Sequence, residues 1–142
     1  MSGELNFPRG GGTATILVAD VPSMDGRYAV ALGGWPLEFV RSLRDACAAL
    51  EAKRYRLVVI GVYFDDSQMF DLVRAIRHDE LHNEAPIVCV RGGPGFAAVT
   101  TRTLEMACRA LSADAFVDLI QYADEAVGDA ELRAVVQRYL ES

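Results

Sequence analysis

The chain is poor in the residues from which most catalytic and metal centres are built. It has two histidines, three cysteines and a single lysine, Lys53. Cys47, Cys89 and Cys108 are odd in number and lie 42 and 19 residues apart, which matches neither a disulfide framework nor CxxC metal pairs. Each falls in an apolar segment and is expected as a small buried hydrophobe. His78 and His82 have the i, i+4 spacing of a metal clamp. HDELHNE, however, is a polar run at an expected helix end, so both are read as solvated surface and no metal is expected. Positive charge is also in short supply, with 14 Lys+Arg against 20 Asp+Glu, a net charge of −6 and a pI near 4.8. That balance leaves no broad basic footprint for nucleic acid or an anionic membrane surface. Long hydrophobic runs are missing too. Counting glycine, the longest covers residues 57–64, whereas a membrane-spanning helix needs about 20. MSGELNFPRGGG has no basic start followed by an apolar core, so the chain is expected in the cytoplasm.

What is present is a regular alternation. Of 142 residues, 51% are apolar, enough for one domain. Residues 1–12 read as a flexible glycine-rich tail and residues 13–142 as a single domain. Residues 15–20 (TILVAD), 57–62 (LVVIGV), 86–90 (PIVCV) and 115–119 (AFVDL) are β-rich, and most are apolar throughout, the mark of strands covered on both faces. Residues 36–41 (PLEFVR) alternate in part and suit a more exposed strand. Between these runs the period becomes helical over residues 23–32, 42–53, 67–78, 96–111 and 124–140. Five strands alternating with five helices predict an α/β fold, a doubly wound parallel sheet sandwiched between two helix layers.

In such a sheet ligands gather at the carboxyl ends of the strands, here Asp20, Gly61, Arg91 and the region of Leu119. ILVAD, then YRLVVIG with a loop and FDLVRAIR, then PIVCV, then SADAFV, in this order and spacing, resemble the receiver domain of bacterial response regulators. The resemblance spans residues 13–142. It implies a flavodoxin-like strand order of 2-1-3-4-5. It also implies a sheet top where an acidic pair binds Mg²⁺, an aspartate accepts phosphate, and a Ser or Thr and a Lys surround it. Phosphoryl transfer of this kind is mostly positioning and charge neutralisation.

This chain departs from that pattern at four positions. Asp20 keeps the first acidic place, but Val21 stands in the second, Gly61 in the phosphoacceptor place, Arg91 in that of the Ser or Thr, and Leu119 in that of the lysine. The only lysine, Lys53, lies outside that region. The expectation is therefore a degenerate pocket with no catalytic residues and no cofactor. Asp65 and Asp66 could accept phosphate in principle, but as loop residues they are expected to cap the third helix. Arg91, at the end of a buried strand, needs an anionic partner or a route to water, and Asp20 is the expected partner, over Gly61. Arg91, Gly92, Gly93 and Gly95 could alternatively cradle a nucleotide or other anion, although the spacing matches no phosphate-loop signature.

The leading functional expectation is a phosphorylation-independent signalling or scaffolding module that acts by protein contact, with a protein partner or a homodimer; an anion-binding module is the alternative. The contact surface is expected on the fourth helix, fifth strand and fifth helix, where receivers commonly pair. Its residues are Arg102, Met106, Arg109, Asp118, Glu131, Val135 and Arg138, with Asp118 read as an edge-strand charge.

Overall fold

The computed structural model describes residues 15–93 and 99–141. The apolar runs become strands β1 (Ile16–Ala19), β2 (Leu37–Val40), β3 (Leu57–Gly61), β4 (Ile87–Arg91) and β5 (Ala115–Asp118). All pair in parallel, in the order β2-β1-β3-β4-β5 that the resemblance implies. The continuous apolar runs have a direct cause. Successive side chains point to opposite faces of a sheet, and here each face has its own core. Leu17, Ala19, Val58, Ile60, Ile87 and Cys89 feed one; Ile16, Val18, Leu57, Val59, Val88 and Val90 feed the other. Each fully buried aliphatic side chain contributes about 1.5–3 kcal/mol, so a polar residue without a partner within β1, β3 or β4 would be costly. β2 is half-buried along its length and forms one edge; β5 forms the other.

A 3₁₀ turn (Pro22–Met24) leads into α1 (Asp25–Ala31), which covers one face together with α6 (Glu125–Glu141). The other face is covered by α2 (Leu43–Ala52), α4 (Met69–Arg77) and α5 (Thr101–Ala110). Helix starts are capped as the sequence allows. Ser42 accepts the Asp45 N–H at 3.0 Å and Thr100 accepts the Thr103 N–H at 3.1 Å, each satisfying a donor that the first turn leaves open.

Several expectations are corrected. A sixth helical segment, α3 (Phe64–Ser67), precedes α4, and its Asp65, Asp66 and Ser67 have φ of 44°, 55° and 67°. Single Asp residues visit left-handed backbone, but three such residues in succession are unfavourable, so nothing in the local sequence announces this turn. His82 is not on the surface but fully buried. Its Nε2 accepts the Tyr55 N–H at 3.0 Å, which places the proton on Nδ1, 2.6 Å from an Asp79 carboxylate oxygen. Cys89 and Cys108 are buried as expected, while Cys47 is only half-buried. The tail at 1–12 and the expected helix start at Phe96 lie outside the described residues. Among the described residues no helix is long and apolar enough to cross a membrane.

Candidate functional site

The carboxyl ends of β1, β3, β4 and β5 meet at the top of the sheet, and the two-residue alternation divides their side chains between the faces. Asp20, one position past Ala19, follows Ile16 and Val18 toward α1. Gly61, two positions past Val59, falls on the same side. Arg91 follows Ile87 and Cys89 toward α5, and Asp118, one position past Val117, does likewise. The site residues therefore separate into two clusters.

On the α1 face Asp20 is 3% exposed. One of its carboxylate oxygens accepts the Tyr28 hydroxyl at 2.6 Å and the other accepts the Val21 N–H at 2.7 Å. Tyr28, on the inner face of α1, is fully buried. The Asp20 carbonyl accepts Arg41 Nη1 at 3.2 Å, and the Arg41 fork closes on Asp25. Burial pushes the Asp20 carboxyl above its ordinary value, an effect that the Tyr28 and Val21 hydrogen bonds and the Arg41 charge offset only in part. Burial and the neighbouring carboxylate raise the Tyr28 phenol well above its usual range.

Gly61 explains where this carboxyl group sits. A Cβ at Gly61 would lie 2.0 Å from Asp20 Cγ and 2.1 Å from each carboxylate oxygen. Asp20 is thus folded onto the Gly61 backbone and fills the space in which a side chain at 61 would begin. Met24 closes the neighbouring space. A Cβ at Gly92 would lie 2.3 Å from its methyl carbon, 2.9 Å from its sulfur and 3.5 Å from Leu119 Cδ1. Leu119, where the resemblance calls for a lysine, is buried in this apolar contact.

The Mg²⁺ that the resemblance implies does not fit these residues. The donor set is the Asp20 carboxylate, already engaged by a hydroxyl and an amide, with the neighbouring Asp25 carboxylate closed on Arg41, beside the donorless side chains of Val21 and Gly61 and the soft thioether of Met24. Magnesium takes hard oxygen ligands in octahedral array. Among the described residues no group of three or more His, Cys, Asp or Glu side chains is placed to hold a metal.

On the α5 face Arg91 and Asp118 are register partners on adjacent strands. Arg91 Nε and Nη2 reach the two Asp118 oxygens at 3.1 and 2.5 Å, a bidentate pair in which the residues are 2% and 3% exposed. The Thr101 hydroxyl donates to the same carboxylate at 2.6 Å, and Arg91 Nη1 donates to the Val99 carbonyl at 2.7 Å. Burial would raise the Asp118 carboxyl, but the hydrogen bonds from Arg91 and Thr101 outweigh it and hold the group below its ordinary value. The expected Arg91–Asp20 contact is corrected. The guanidinium is taken by Asp118 because strand parity carries Arg91 and Asp20 to opposite faces.

Two residues of the expected contact surface turn inward. Asp118 is the buried partner just described, not an edge charge. Val135 is 5% exposed because the stripe of α6 that faces the sheet and α1 is wider than expected, taking in Gly128, Leu132, Val135 and Val136. Arg102, Met106, Arg109, Glu131 and Arg138 are exposed. A surface pocket of about 170 Å³ opens beside them, lined by Thr101, Glu105, Phe116, Asp118, Tyr122 and Glu131 among others. Asp65 does not cap the third helix. Its carboxylate accepts the Leu43 N–H at the start of α2, at 2.8 Å, and α4 begins without a side-chain cap. Of the expected anion loop, Gly92 lies under Met24, Arg91 is engaged as above, and Gly95 lies outside the described residues.

Sequence reasoning missed Tyr28, Arg41, Thr101 and the role of Asp118. For Asp118 there was a signal. In the 2-1-3-4-5 order two opposite charges close two neighbouring, otherwise apolar strands.

No protein-family profile matches the sequence. A search of curated proteins likewise finds no match. Solved structures do match. A response regulator from Hahella chejuensis is 20% identical, with a TM-score of 0.74 over 90% of this chain and 96% of that one. The chemotaxis response regulator CheY4 of Vibrio cholerae is 18% identical, with a TM-score of 0.68 over 89% and 98%. The receiver domain of the Pseudomonas aeruginosa sensor histidine kinase PA1611, which holds a magnesium ion in its active-site cleft, is 19% identical, with a TM-score of 0.70 over 92% and 99%. At these identities the likeness is one of architecture, and the architecture of this chain is that of the response-regulator receiver domain.

Proposed function

We propose that the chain is a pseudo-receiver, a signalling or scaffolding module that works by contact with another protein or a second copy of itself and does not depend on phosphorylation. The observation that carries this reading is the Asp20 carboxyl group resting on Gly61. The place where a receiver presents its phosphoacceptor holds no acceptor, and the acid that would bind metal occupies the gap. Met24 and Leu119 supply apolar contact where charge neutralisation of a phosphoryl group would be needed. The contact face of the proposal lies over α5, β5 and α6. There Met106 is 59% exposed and Ile120 39%, among the charges of Arg102, Arg109, Glu131 and Arg138, a pattern of apolar centre and charged rim. Anion binding is the weaker reading, since Arg91 is committed to Asp118 and Val99.

Intact-mass measurement after incubation with acetyl phosphate and Mg²⁺ tests the reading. The mass is expected to stay unchanged, and a phosphoryl adduct mapped to Asp20, Asp65 or Asp66 would overturn it.

A further inference from the structure

Arg91 and Asp118 form a buried ion pair, a costly way to gain cohesion because both charges leave water. Apolar side chains of similar volume commonly serve as well or better in such a position. Its reach beyond the sheet suggests another role. Arg91 Nη1 holds the Val99 carbonyl and Asp118 holds the Thr101 hydroxyl, so both arms end within three residues at the start of α5. Apart from this tether, α5 is held by two buried side chains among its ten residues, Leu104 and Cys108, the latter hydrogen-bonded to Cys89 of β4. α4, by comparison, buries Met69, Leu72, Val73 and Ile76 in nine. Opening of a helix is governed by how few buried contacts hold it, so a polar tether at its first turn adds directly to what keeps α5 against β5.

We propose that Arg91 is a positioning residue which, acting through Asp118, Thr101 and the Val99 carbonyl, locks α5 in a single position and so presets the α5–β5–α6 face from inside, with no external trigger. This deepens the reading above and rests on it only for calling that face the contact surface. A phosphoryl adduct would sink that reading while leaving the lock intact.

Hydrogen–deuterium exchange of the full chain, without phosphodonor, tests the lock with two variants. Arg91→Met/Asp118→Leu removes both tethers and leaves no unpaired buried charge. Thr101→Val removes one tether at a half-buried position with little change of shape. In the double variant α5 amides are expected to exchange about tenfold faster than in wild type, with β1 and β3 unchanged; Thr101→Val is expected to give a smaller rise confined to the first turn. Wild-type exchange of α5 in either variant would overturn the proposal. So would a uniform rise across the sheet in the double variant, because the pair would then be holding the whole fold and not α5.

Discussion

Asp20, just past β1, and Asp118, the last residue of β5, lie on opposite faces of the sheet, and both are 3% exposed. Their partners differ in kind. The Asp20 carboxylate is held by two neutral donors, the Tyr28 hydroxyl and the Val21 amide, while Arg41 bonds the Asp20 carbonyl and reaches the carboxylate only through its charge. Asp118 is held by a guanidinium fork and a hydroxyl in direct contact. Burial penalises both ions, but only the second partner set overcomes it, so one carboxyl is shifted up and the other down. Equal burial therefore does not mean equal electrostatics. The charge and reach of the partner decide, and each carboxylate can be challenged separately.

The largest effect is expected at the charged pair. Arg91→Ala leaves Asp118 buried without its counter-ion, and losing one partner of a buried pair typically costs about 3–5 kcal/mol. Adding Asp118→Leu should recover most of that loss, since the unpaired charge goes with it. Urea unfolding of the two variants checks this. A double variant no more stable than Arg91→Ala would show that shape, not charge, is what Arg91 supplies.

Next in size is the contact between Asp20 and Gly61. Gly61→Ala sets a methyl group where Asp20 Cγ lies, and overpacking a tight core costs about 1–3 kcal/mol, more where the obstacle is itself tethered. In an Asp20→Ala background the same change should be nearly free. A double-mutant cycle measures this coupling, because residues in contact depart from additivity. Additive effects would mean that Asp20 swings away easily and that the pocket is less filled than its geometry states.

The sequence makes the sheet legible because both faces of β1, β3 and β4 are covered. A strand with one face in water would alternate polar and apolar residues instead. Gly61, Val21 and Leu119 are legible as departures from the receiver pattern for a similarly local reason, one residue at one strand end. The partners are not local. Asp118 reads as an edge charge until strand order and parity place it opposite Arg91. Val135 lies next to a helical stripe whose width depends on how α6 meets α1. His82 sits in a polar run, yet a Tyr55 amide 27 residues away draws it inside. The left-handed turn at Asp65–Ser67 is held by its bond to the start of α2, and local propensity opposes it.

The smallest effect, and the sharpest test of the comparison, is the sign of a pH slope. Asp118 titrates below the ordinary 3.8 in the folded chain. The unfolded chain therefore takes up the proton first on acidification. The stability that Asp118 contributes is fully present above 3.8 and is lost as pH falls through its folded value. Asp20 titrates above 3.8 when folded. The folded chain then takes up the proton first, so the penalty of a buried ion is present above the folded value and disappears as pH falls from there to 3.8. Unfolding free energies of wild type, Asp118→Asn and Asp20→Asn, followed from neutral pH into acid, should thus diverge. The advantage of wild type over Asp118→Asn should shrink on acidification, while its standing against Asp20→Asn should improve, and at a higher pH. Slopes of the same sign would mean that Tyr28 and Val21 stabilise the Asp20 anion as fully as Arg91 stabilises Asp118, and the contrast between the two sites would fail.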